Sequence, residues 1–434
     1  MLAIVDGGLE VKFPKMVRLK QNFPSYSLPD FRHVLIHQLK QKKNKNKIKP
    51  GMSIALGVGS RGIANIQEIV KITIDYIKEQ RAKPFIVPAI GSQGEASIEG
   101  QEKVLASIGI TKETMGVPIR SSMEVVTLSE SYWGKKVYFD KFAFHADGII
   151  PINRVKCHTD FRGPIESGLL KMLVIGFGKQ KGAKEMHSLS YGYFHRLIPE
   201  IGQKILNKLP VLFGIACVED AYDQLAELKI LAPEEILVQE KKLLRKSKRI
   251  MARLNIPKVD VLVIEEIGKD ISGTGLDPNI IGRFHQRKGV LKNYLLAPKV
   301  KQVVVLDLSE KTLGNACGIG YADITVRRLV DKINYLATYA NVCVGHIDCI
   351  GDNFYEIKIP IIMDTDKMAI SLALKIAKGE KTKEAHLVRI KNTLNLHEIE
   401  VSHALYQQIK DDRKYKVIDS FRRLQFNCQE ELLR

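Results

Sequence analysis

The chain has 434 residues, of which 45% are apolar and 26% are charged, so it can bury a core and is long enough for two or more domains. This composition excludes a disordered chain and a small fold held together by disulfides. The 67 Lys and Arg residues against 48 Asp and Glu residues give a formal charge of +19. That excess favours an anionic partner, which could be nucleic acid, an anionic membrane, or a phosphorylated or carboxylated ligand.

The six cysteines are scattered and include no CxxC pair, so they indicate reduced thiols rather than a disulfide framework or a zinc site. The first residues, MLAIVDGGLEVKFP, lack the basic start and the apolar run of a signal peptide. The longest weakly charged stretches, 168–178 and 211–218, fall short of the roughly 18 apolar residues that a membrane span needs. We therefore expect a cytoplasmic protein with no membrane partner.

Short apolar runs rich in Val and Ile alternate with longer segments of helical period, which is typical of parallel sheets covered by helices. The predicted strands, in chain order, are 52–57, 84–89, 147–152, 211–217, 259–265 and 302–307. The predicted helices are 62–80, 97–108, 195–208, 232–254, 323–336 and 366–378. The predicted fold class is α/β, with parallel or mixed sheets covered by helices.

The helix predicted over 232–254 carries Pro233 in its first turn and basic residues in its last turns, as helix ends prefer. It ends just before Pro257 and a new strand, so we place a domain boundary there. The expected domains are two α/β domains, residues 1–256 and 257–434, with a ligand cleft between them. The basic stretch 40–49 predicts a solvated loop rather than a nucleic-acid contact, and the last segment, 397–434, looks helical.

The first candidate site is the segment 57–62, GVGSRG, a GxGxxG match between a predicted strand and a predicted helix. Backbone N–H groups at such a turn would face a phosphate. A dinucleotide site also needs an acidic residue about 20 positions further on, at the end of the next strand, and Ile86–Ile90 contains none. The loop is therefore either a tight turn with a packing role or a phosphate or carboxylate site that uses Arg61.

A second polar loop, Gly91–Ser97, follows the next predicted strand and contains Gln93. Ligands of α/β sheets collect at the carboxyl ends of the strands, so these two loops should line one crevice. Ser97 is also a candidate N-cap of the following helix. Both interpretations stay open.

The densest run of functional side chains is 153–187, NRVKCHTDFRGPIESGLLKMLVIGFGKQKGAKEMH. His158 follows a predicted strand. Lys171 stands in an otherwise apolar stretch, where it either snorkels from a helix face or is a desolvated amine used in chemistry. His187 is a structural or exposed histidine, or a ligand. In the second half of the chain a Gly-rich segment, 265–279, contains Lys269 and is either a long turn or part of a site.

The segment 153–187 resembles the lysine- and histidine-bearing core of the nickel-dependent lactate racemase family, and ISGTGLDPN at 271–279 is similar to a second segment of that family. The resemblance implies an isomerase, a racemase or epimerase of a 2-hydroxy acid that acts by reversible hydride transfer to a nickel-pincer nucleotide. That cofactor is a nickel pyridinium-3,5-bisthiocarboxylic acid mononucleotide. The resemblance places the cofactor in the N-terminal domain and implies that it is tethered to Lys171. It implies that His187, sixteen residues after Lys171, is the protein ligand to nickel.

The resemblance also implies roles for further residues. His158 matches an acid/base catalyst, and Gln93 falls where the family has its second catalytic histidine. An amide cannot take a proton near neutral pH, so His285 or Lys156 is an alternative second base. The family's first-loop aspartate has no counterpart in 57–62. Cofactor binding is implied for Gly59, Ser60, Arg61, Arg162 and Ser167, and substrate binding for Arg61 and Lys269.

Two other functions stay open at this point. One is a metal-free nucleotide or phosphorylated-metabolite binding protein, or an NAD(P)-type oxidoreductase, on the same fold. The other is nucleic-acid binding, which rests on the charge of +19 alone. An aromatic content of 7% and the lack of a recognisable nucleic-acid-binding motif weigh against it. We therefore expect a small-molecule 2-hydroxy acid as the partner, and leave its side chain and a homo-oligomeric state open.

Overall fold

The computed structural model describes residues 8–59, 62–94, 96–130, 134–189, 191–283, 297–340 and 354–433. These residues form two compact units. The first, here called the central unit, is the contiguous segment Pro24–Met251. The second, the terminal unit, combines residues 8–23 with residues 252–283 and the described residues from 297 onward.

The central unit is built on strands whose apolar residues are almost all buried. They are β2 (Ser53–Val58), β3 (Lys83–Pro88), β4 (Val125–Glu130), β5 (Lys136–Asp140), β6 (Gly148–Arg154), β7 (Gly214–Glu219) and β8 (Leu225–Leu231). The main sheet has the order β3-β2-β6-β7-β8 and is parallel except for the β7–β8 pair, and β4 and β5 form a separate hairpin. Ala55 joins one apolar cluster while Ile54 and Leu56 join another. Both faces of the sheet are therefore covered, as in parallel sheets generally.

Helices cover the two faces of this sheet. They are α1 (Phe31–Lys40), α2 (Lys42–Lys45), α3 (Ile66–Glu79), α4 (Ile98–Ser107), α5 (Lys112–Met115), α6 (Lys141–Phe144), α7 (Leu169–Lys171), α8 (Lys179–His187), α9 (Phe194–Lys208) and α10 (Pro233–Ile250). A π-helix, Met172–Gly176, connects α7 to α8, and a 3-10 turn, Tyr191–Tyr193, precedes α9. In α10, acidic residues occupy the first turn and basic residues the last, which complements the helix dipole.

The terminal unit contains a nine-stranded mixed sheet in the order β12-β11-β10-β9-β13-β14-β1-β15, with β16 also paired to β1. Its strands are β1 (Lys15–Gln21), β9 (Lys258–Ile264), β10 (Lys299–Val305), β11 (Ile324–Val326), β12 (Ile361–Met363), β13 (Leu387–Ile390), β14 (Glu398–Ser402), β15 (Tyr415–Val417) and β16 (Arg422–Arg423). Its helices are α11 (Pro278–Ile281), α12 (Arg327–Asp331), α13 (Tyr335–Ala340), α14 (Asp366–Lys378) and α15 (His403–Ile409). Short 3-10 turns lie at Glu310–Thr312, Ile319–Tyr321, Phe354–Ile357 and Thr382–Glu384.

The α/β class predicted from the sequence is confirmed: both units contain parallel strand pairs with helical connections. The prediction that 397–434 is helical is wrong, because this segment contains β14, β15 and β16 and a helix of seven residues. These strands pair with β1, nearly 400 positions earlier. A local sequence pattern does not predict a pairing between such distant segments. The segment predicted as helix 323–336 begins instead with β11.

Two further expectations differ from the structure in detail. The sequence-based division at residue 256 assigned residues 1–23 to the N-terminal domain, whereas β1 pairs antiparallel with β14, from Met16 opposite Ser402 to Lys20 opposite Glu398. The stretch 40–49 contains the short helix α2, and Asn44 within it is buried and donates to the Gln38 carbonyl oxygen at 2.8 Å. No helix among the described residues is long and apolar enough to cross a membrane.

Candidate functional site

Three segments of the central unit leave the sheet at the same edge. They follow β2, β3 and β6, which are parallel neighbours, so their carboxyl ends meet. The backbone links them: Ala89 donates to the Val58 carbonyl oxygen at 2.9 Å, and Gly91 donates to the Gly176 carbonyl oxygen at 3.0 Å. A side chain at Gly59 would place its Cβ 3.1 Å from Asn153 Oδ1. The structure thus brings together Gly59 after β2, Ala89 and Gly91 after β3, and Asn153 at the end of β6.

Lys171 and His158 are in direct contact. The Lys171 Nζ lies 2.6 Å from the His158 Nε2, although thirteen residues separate them in sequence (158 to 171). The His158 ring packs on Phe161 with centroids 4.4 Å apart, and the Lys171 Nζ is 5.9 Å from the centroid of the same phenyl ring. The lysine that the sequence singled out is therefore at the edge of an apolar cluster, beside an imidazole.

The hydrogen bonds of His158 define where its proton lies. The Asp160 backbone N–H donates to the His158 Nδ1 at 3.0 Å, so Nδ1 is the unprotonated nitrogen and Nε2 carries the hydrogen in a neutral ring. A Lys171 ammonium has no lone pair with which to accept that hydrogen. The contact between Nε2 and Nζ is satisfied when His158 donates and Lys171 is a free amine, which is the nucleophilic form of a lysine.

The surroundings favour the neutral form of His158. Burial lowers the pKa of the imidazole well below its ordinary value, and the basic side chains around it, Lys171 first and then Arg162 and His187, act in the same direction. Because Lys171 and His158 face each other, their protons are coupled, and a charge on one opposes a charge on the other.

His187 lies on the same aromatic cluster. It is the last residue of α8, its ring is 5.5 Å from the Phe194 ring, and Phe194 is 5.3 Å from Phe161, centroid to centroid. The same cluster reaches the His158 ring, which is 4.4 Å from Phe161. The structure therefore brings His158, Lys171 and His187 to one place.

The loop before Lys171 is organised by the buried carboxylate of Glu166. Its Oε2 accepts from the His158 backbone N–H at 2.8 Å, and its Oε1 accepts from the Gly163 backbone N–H at 3.2 Å and from the Lys248 Nζ at 2.6 Å. Arg162 lies 3.6 Å from Glu166 and also donates to the carbonyl oxygens of His158 and Phe161. This network fixes the backbone on which His158 stands.

A second buried carboxyl group, that of Glu240 on α10, lies at the start of α7. Its Oε2 accepts from the Leu170 backbone N–H at 3.1 Å, and its Oε1 has no hydrogen-bond partner among the described residues. Burial raises the pKa of Glu240 to about 8, although the Leu170 and Leu169 backbone N–H groups act in the opposite direction. Glu240 is therefore mostly protonated at neutral pH.

A buried cation holds the start of α8. The Lys179 Nζ donates to the Pro88 carbonyl oxygen at 2.6 Å and to Gln101 Oε1 at 2.9 Å, and lies 3.3 Å from Asp140 Oδ2. Gln101 in turn donates from Nε2 to the Gly91 carbonyl oxygen at 3.0 Å. Burial lowers the pKa of Lys179 and raises that of Asp140, while the pairing of the two opposes both shifts. The helix that ends at His187 is thus tied to the loop that contains Gln93.

The other predicted site residues have the following positions. Gln93 is exposed in a turn and donates from its backbone to the Ile90 carbonyl oxygen at 3.3 Å. Ser167 forms two backbone hydrogen bonds with Lys156, of 3.0 and 3.2 Å. Lys269 belongs to the terminal unit, where its backbone N–H donates to Thr312 Oγ1 at 3.1 Å. Ser60, Arg61 and His285 lie outside the described residues.

Sequence reasoning did not single out Glu166, Glu240, Lys248 or Lys179. Glu240 had a recognisable signal, because it falls on the face of α10 that Ile236, Leu243 and Leu244 bury, and a carboxyl group on an apolar stripe is rarely left unpaired. Lys179 and Glu166 had none, since their partners come from distant segments. Among the described residues, no group of three or more His, Cys, Asp or Glu side chains is arranged to hold a metal ion.

Comparisons with known proteins add two structures of low sequence identity. No protein-family model matches the chain, and no curated protein sequence does. The lactate racemase apoprotein from Thermoanaerobacterium thermosaccharolyticum superimposes with a TM-score of 0.49 at 11% identity, covering 89% of this chain and 95% of that chain. A Thermotoga maritima protein solved by the Northeast Structural Genomics Consortium has a TM-score of 0.45 at 14% identity, covering 66% of this chain and 71% of that chain.

Proposed function

We propose that this protein is a lactate racemase-like isomerase that interconverts the stereoisomers of a 2-hydroxy acid with a nickel-pincer nucleotide attached to Lys171. The observation that carries the proposal is the contact of 2.6 Å between Lys171 and His158, with His187 on the same aromatic cluster. These are the three side chains to which the resemblance assigns attachment, proton transfer and nickel binding.

The residues present fit such a group in their chemistry. Attachment needs an unprotonated amine, and the His158 Nε2 lies where it can donate a hydrogen bond to such an amine at Lys171. A nickel ion that the cofactor already chelates needs few protein ligands, and an imidazole such as that of His187 is a donor that suits nickel. When bound, the cofactor supplies an electrophilic pyridinium carbon that takes the hydride of the 2-hydroxy acid and returns it.

The chain itself would supply the proton chemistry and the positioning. Once the Lys171 nitrogen is acylated it no longer accepts a hydrogen bond, so the His158 Nε2 would face the substrate hydroxyl group instead. That nitrogen would take the hydroxyl proton in the tautomer whose hydrogen lies on Nδ1, which requires the Asp160 backbone N–H to move away from Nδ1. Burial keeps His158 neutral, and a neutral imidazole can take a proton. Gln93 cannot do so. With His158 as the one base, the keto acid would have to rotate so that its other face receives the hydride when the hydride returns.

The proposal is tested by producing the protein together with the enzymes that make the cofactor, then measuring its intact mass and its nickel content. We expect added mass on Lys171 and about one nickel ion per chain, with interconversion of the two forms of lactate or another 2-hydroxy acid followed by chiral chromatography. Lys171→Met should lose the mass and the metal. His187→Gln should keep the mass and lose most of the nickel.

His195→Gln is the matched control, because His195 is a second histidine of this unit whose Nδ1 is bonded to the Gly192 carbonyl oxygen at 2.6 Å. It should keep both mass and nickel. A protein that carries neither added mass at Lys171 nor nickel would overturn the proposal. Tight binding of NAD(P) that survives Lys171→Met would favour the metal-free alternative instead.

A further inference from the structure

The start of the helix that carries Lys171 is capped by a residue from another part of the chain. The first N–H groups of a helix have no partner within it, and the Leu170 N–H, next to Lys171, donates to Glu240 Oε2 on α10. The α7 helix itself offers no side-chain cap, since its N-cap residue is Gly168. Glu240 therefore replaces the cap that the local sequence lacks.

The packing around Gly168 leaves no space for a side chain. A Cβ built on Gly168 would lie 2.0 Å from Glu240 Oε1 and 2.6 Å from Glu240 Cδ. The backbone of Gly168 is extended, with φ at 168°, so its conformation does not demand glycine. A side chain at position 168 is excluded because it would occupy the space of the Glu240 carboxyl group.

The same helix also holds the partner of Lys171. Lys248, eight residues after Glu240 and therefore about two turns along α10, bonds Glu166, which accepts the backbone N–H of His158. One face of α10 thus reaches both sides of the contact between Lys171 and His158. A rigid helix between two attachment points fixes the distance between the groups it holds.

We propose that Glu240 is a positioning residue, which sets the Lys171 amine against His158 by capping the backbone at Leu170. The inference rests on the proposed function for the task of Lys171, whereas the contact itself exists without any cofactor. The raised pKa of Glu240 agrees with this role, because a protonated carboxyl group still accepts from Leu170 and adds no charge beside the amine.

The test measures the rate at which trace acetic anhydride acetylates Lys171 in the cofactor-free protein, by peptide mass spectrometry, relative to the exposed Lys184 and Lys242. Gly168→Ala, which displaces the Glu240 carboxyl group, should change this relative rate at least about twofold, the lower end of the range expected for contacting groups. Glu240→Gln should leave it as in the wild type, because the amide oxygen still accepts from Leu170. Glu234→Gln, at an exposed position in the first turn of α10, is the matched control and should also have no effect.

A double-mutant cycle separates positioning from general loosening. If Gly168→Ala acts through Glu240, it should change nothing further in a Glu240→Ala background, and thermal unfolding of each variant shows how much of the fold is lost. An unchanged Lys171 rate in folded Gly168→Ala protein, or an equal effect in both backgrounds, would overturn the proposal. If Glu240→Ala does not fold, the acetylation rates of Gly168→Ala and Glu240→Gln test the proposal without it. A changed Lys171 rate in Glu240→Gln would then overturn the proposal.

The outcome is independent of the metal. Acetylation needs the amine and no nickel cofactor, so a protein found without nickel could still show the Glu240 effect, and a nickel-loaded protein could lack it.

Discussion

Glu240, Lys179 and Asp140 are among the side chains near the candidate site that are charged in water and buried in the fold. Lys179 and Asp140 face each other, and each offsets part of the cost of burying the other. The pKa of Glu240 is shifted by burial and by two backbone N–H groups, and by no cationic partner. A buried carboxyl group in that situation remains neutral by holding its proton.

Glu240 should therefore make the stability of the protein depend on pH. Its pKa rises from 4.5 to about 8 on folding, so its contribution is complete below the lower value and is lost as the pH rises through 8. Glu240→Gln cannot ionise, and its free energy of unfolding should exceed that of the wild type by an amount that grows by about 3 kcal/mol between pH 5.5 and 8.5. Urea unfolding at these two pH values measures the difference. A difference that stays constant with pH would show that Glu240 is ionised in the folded protein.

The sequence identified a site residue most easily when an unusual residue type stood at an informative position. Lys171 attracted notice because a lysine stands in an apolar run, and His158 because it follows a strand of a predicted parallel sheet. The structure places these two in contact. Their supporting residues were out of reach, since Glu166 is an ordinary glutamate in sequence and acquires its role from Lys248, 82 positions away.

At the scale of elements, the path from Leu169 to His187 consists of α7, the π-helix Met172–Gly176, a two-residue turn and α8, which begins at Lys179 with a left-handed φ of 54°. Such bulges are frequent at functional sites, because the added residue shifts the angular register of the side chains on either side. Here the path carries Lys171 near its start and His187 at its end. The interval of sixteen residues was visible in the sequence, whereas the π-helix and the turn that lie between Lys171 and His187 were not.

Lys179 anchors the middle of this path, and its removal should leave Asp140 as an unpaired buried charge. We expect Lys179→Met to lower the free energy of unfolding by about 3–5 kcal/mol, and the double variant with Asp140→Asn to lose less than the sum of the single variants. Hydrogen exchange at Gly91 should accelerate as well, because Gln101, which holds its carbonyl oxygen, loses its partner. Lys181→Met, at an exposed position two residues further on, is the control and should change stability by less than about 0.5 kcal/mol. An additive double variant would show that the ion pair contributes nothing.

At the scale of the whole molecule, the two ends of the chain meet in one sheet. Met16, Val17 and Leu19 of β1 are fully buried, and β1 lies between β14 and β15 in the strand order. The sequence showed the α/β alternation and a break after α10, because both are local patterns. It could not show that the first strand belongs with the last ones, since strand pairing across the chain depends on burial that no short segment reveals.

This arrangement predicts how the chain can be divided. A fragment of residues 24–251 keeps all five strands of its main sheet and both apolar clusters, so it should unfold cooperatively on heating. A fragment of residues 257–434 lacks a strand from inside its sheet and should show no cooperative transition until a peptide of residues 8–23 is added. The peptide with Val17 and Leu19 both replaced by Asp is the control, because a charge at either fully buried position opposes docking. If residues 257–434 give the same transition with and without the peptide, the domain boundary near residue 256 describes the folding units better than the division at Pro24 and Met251.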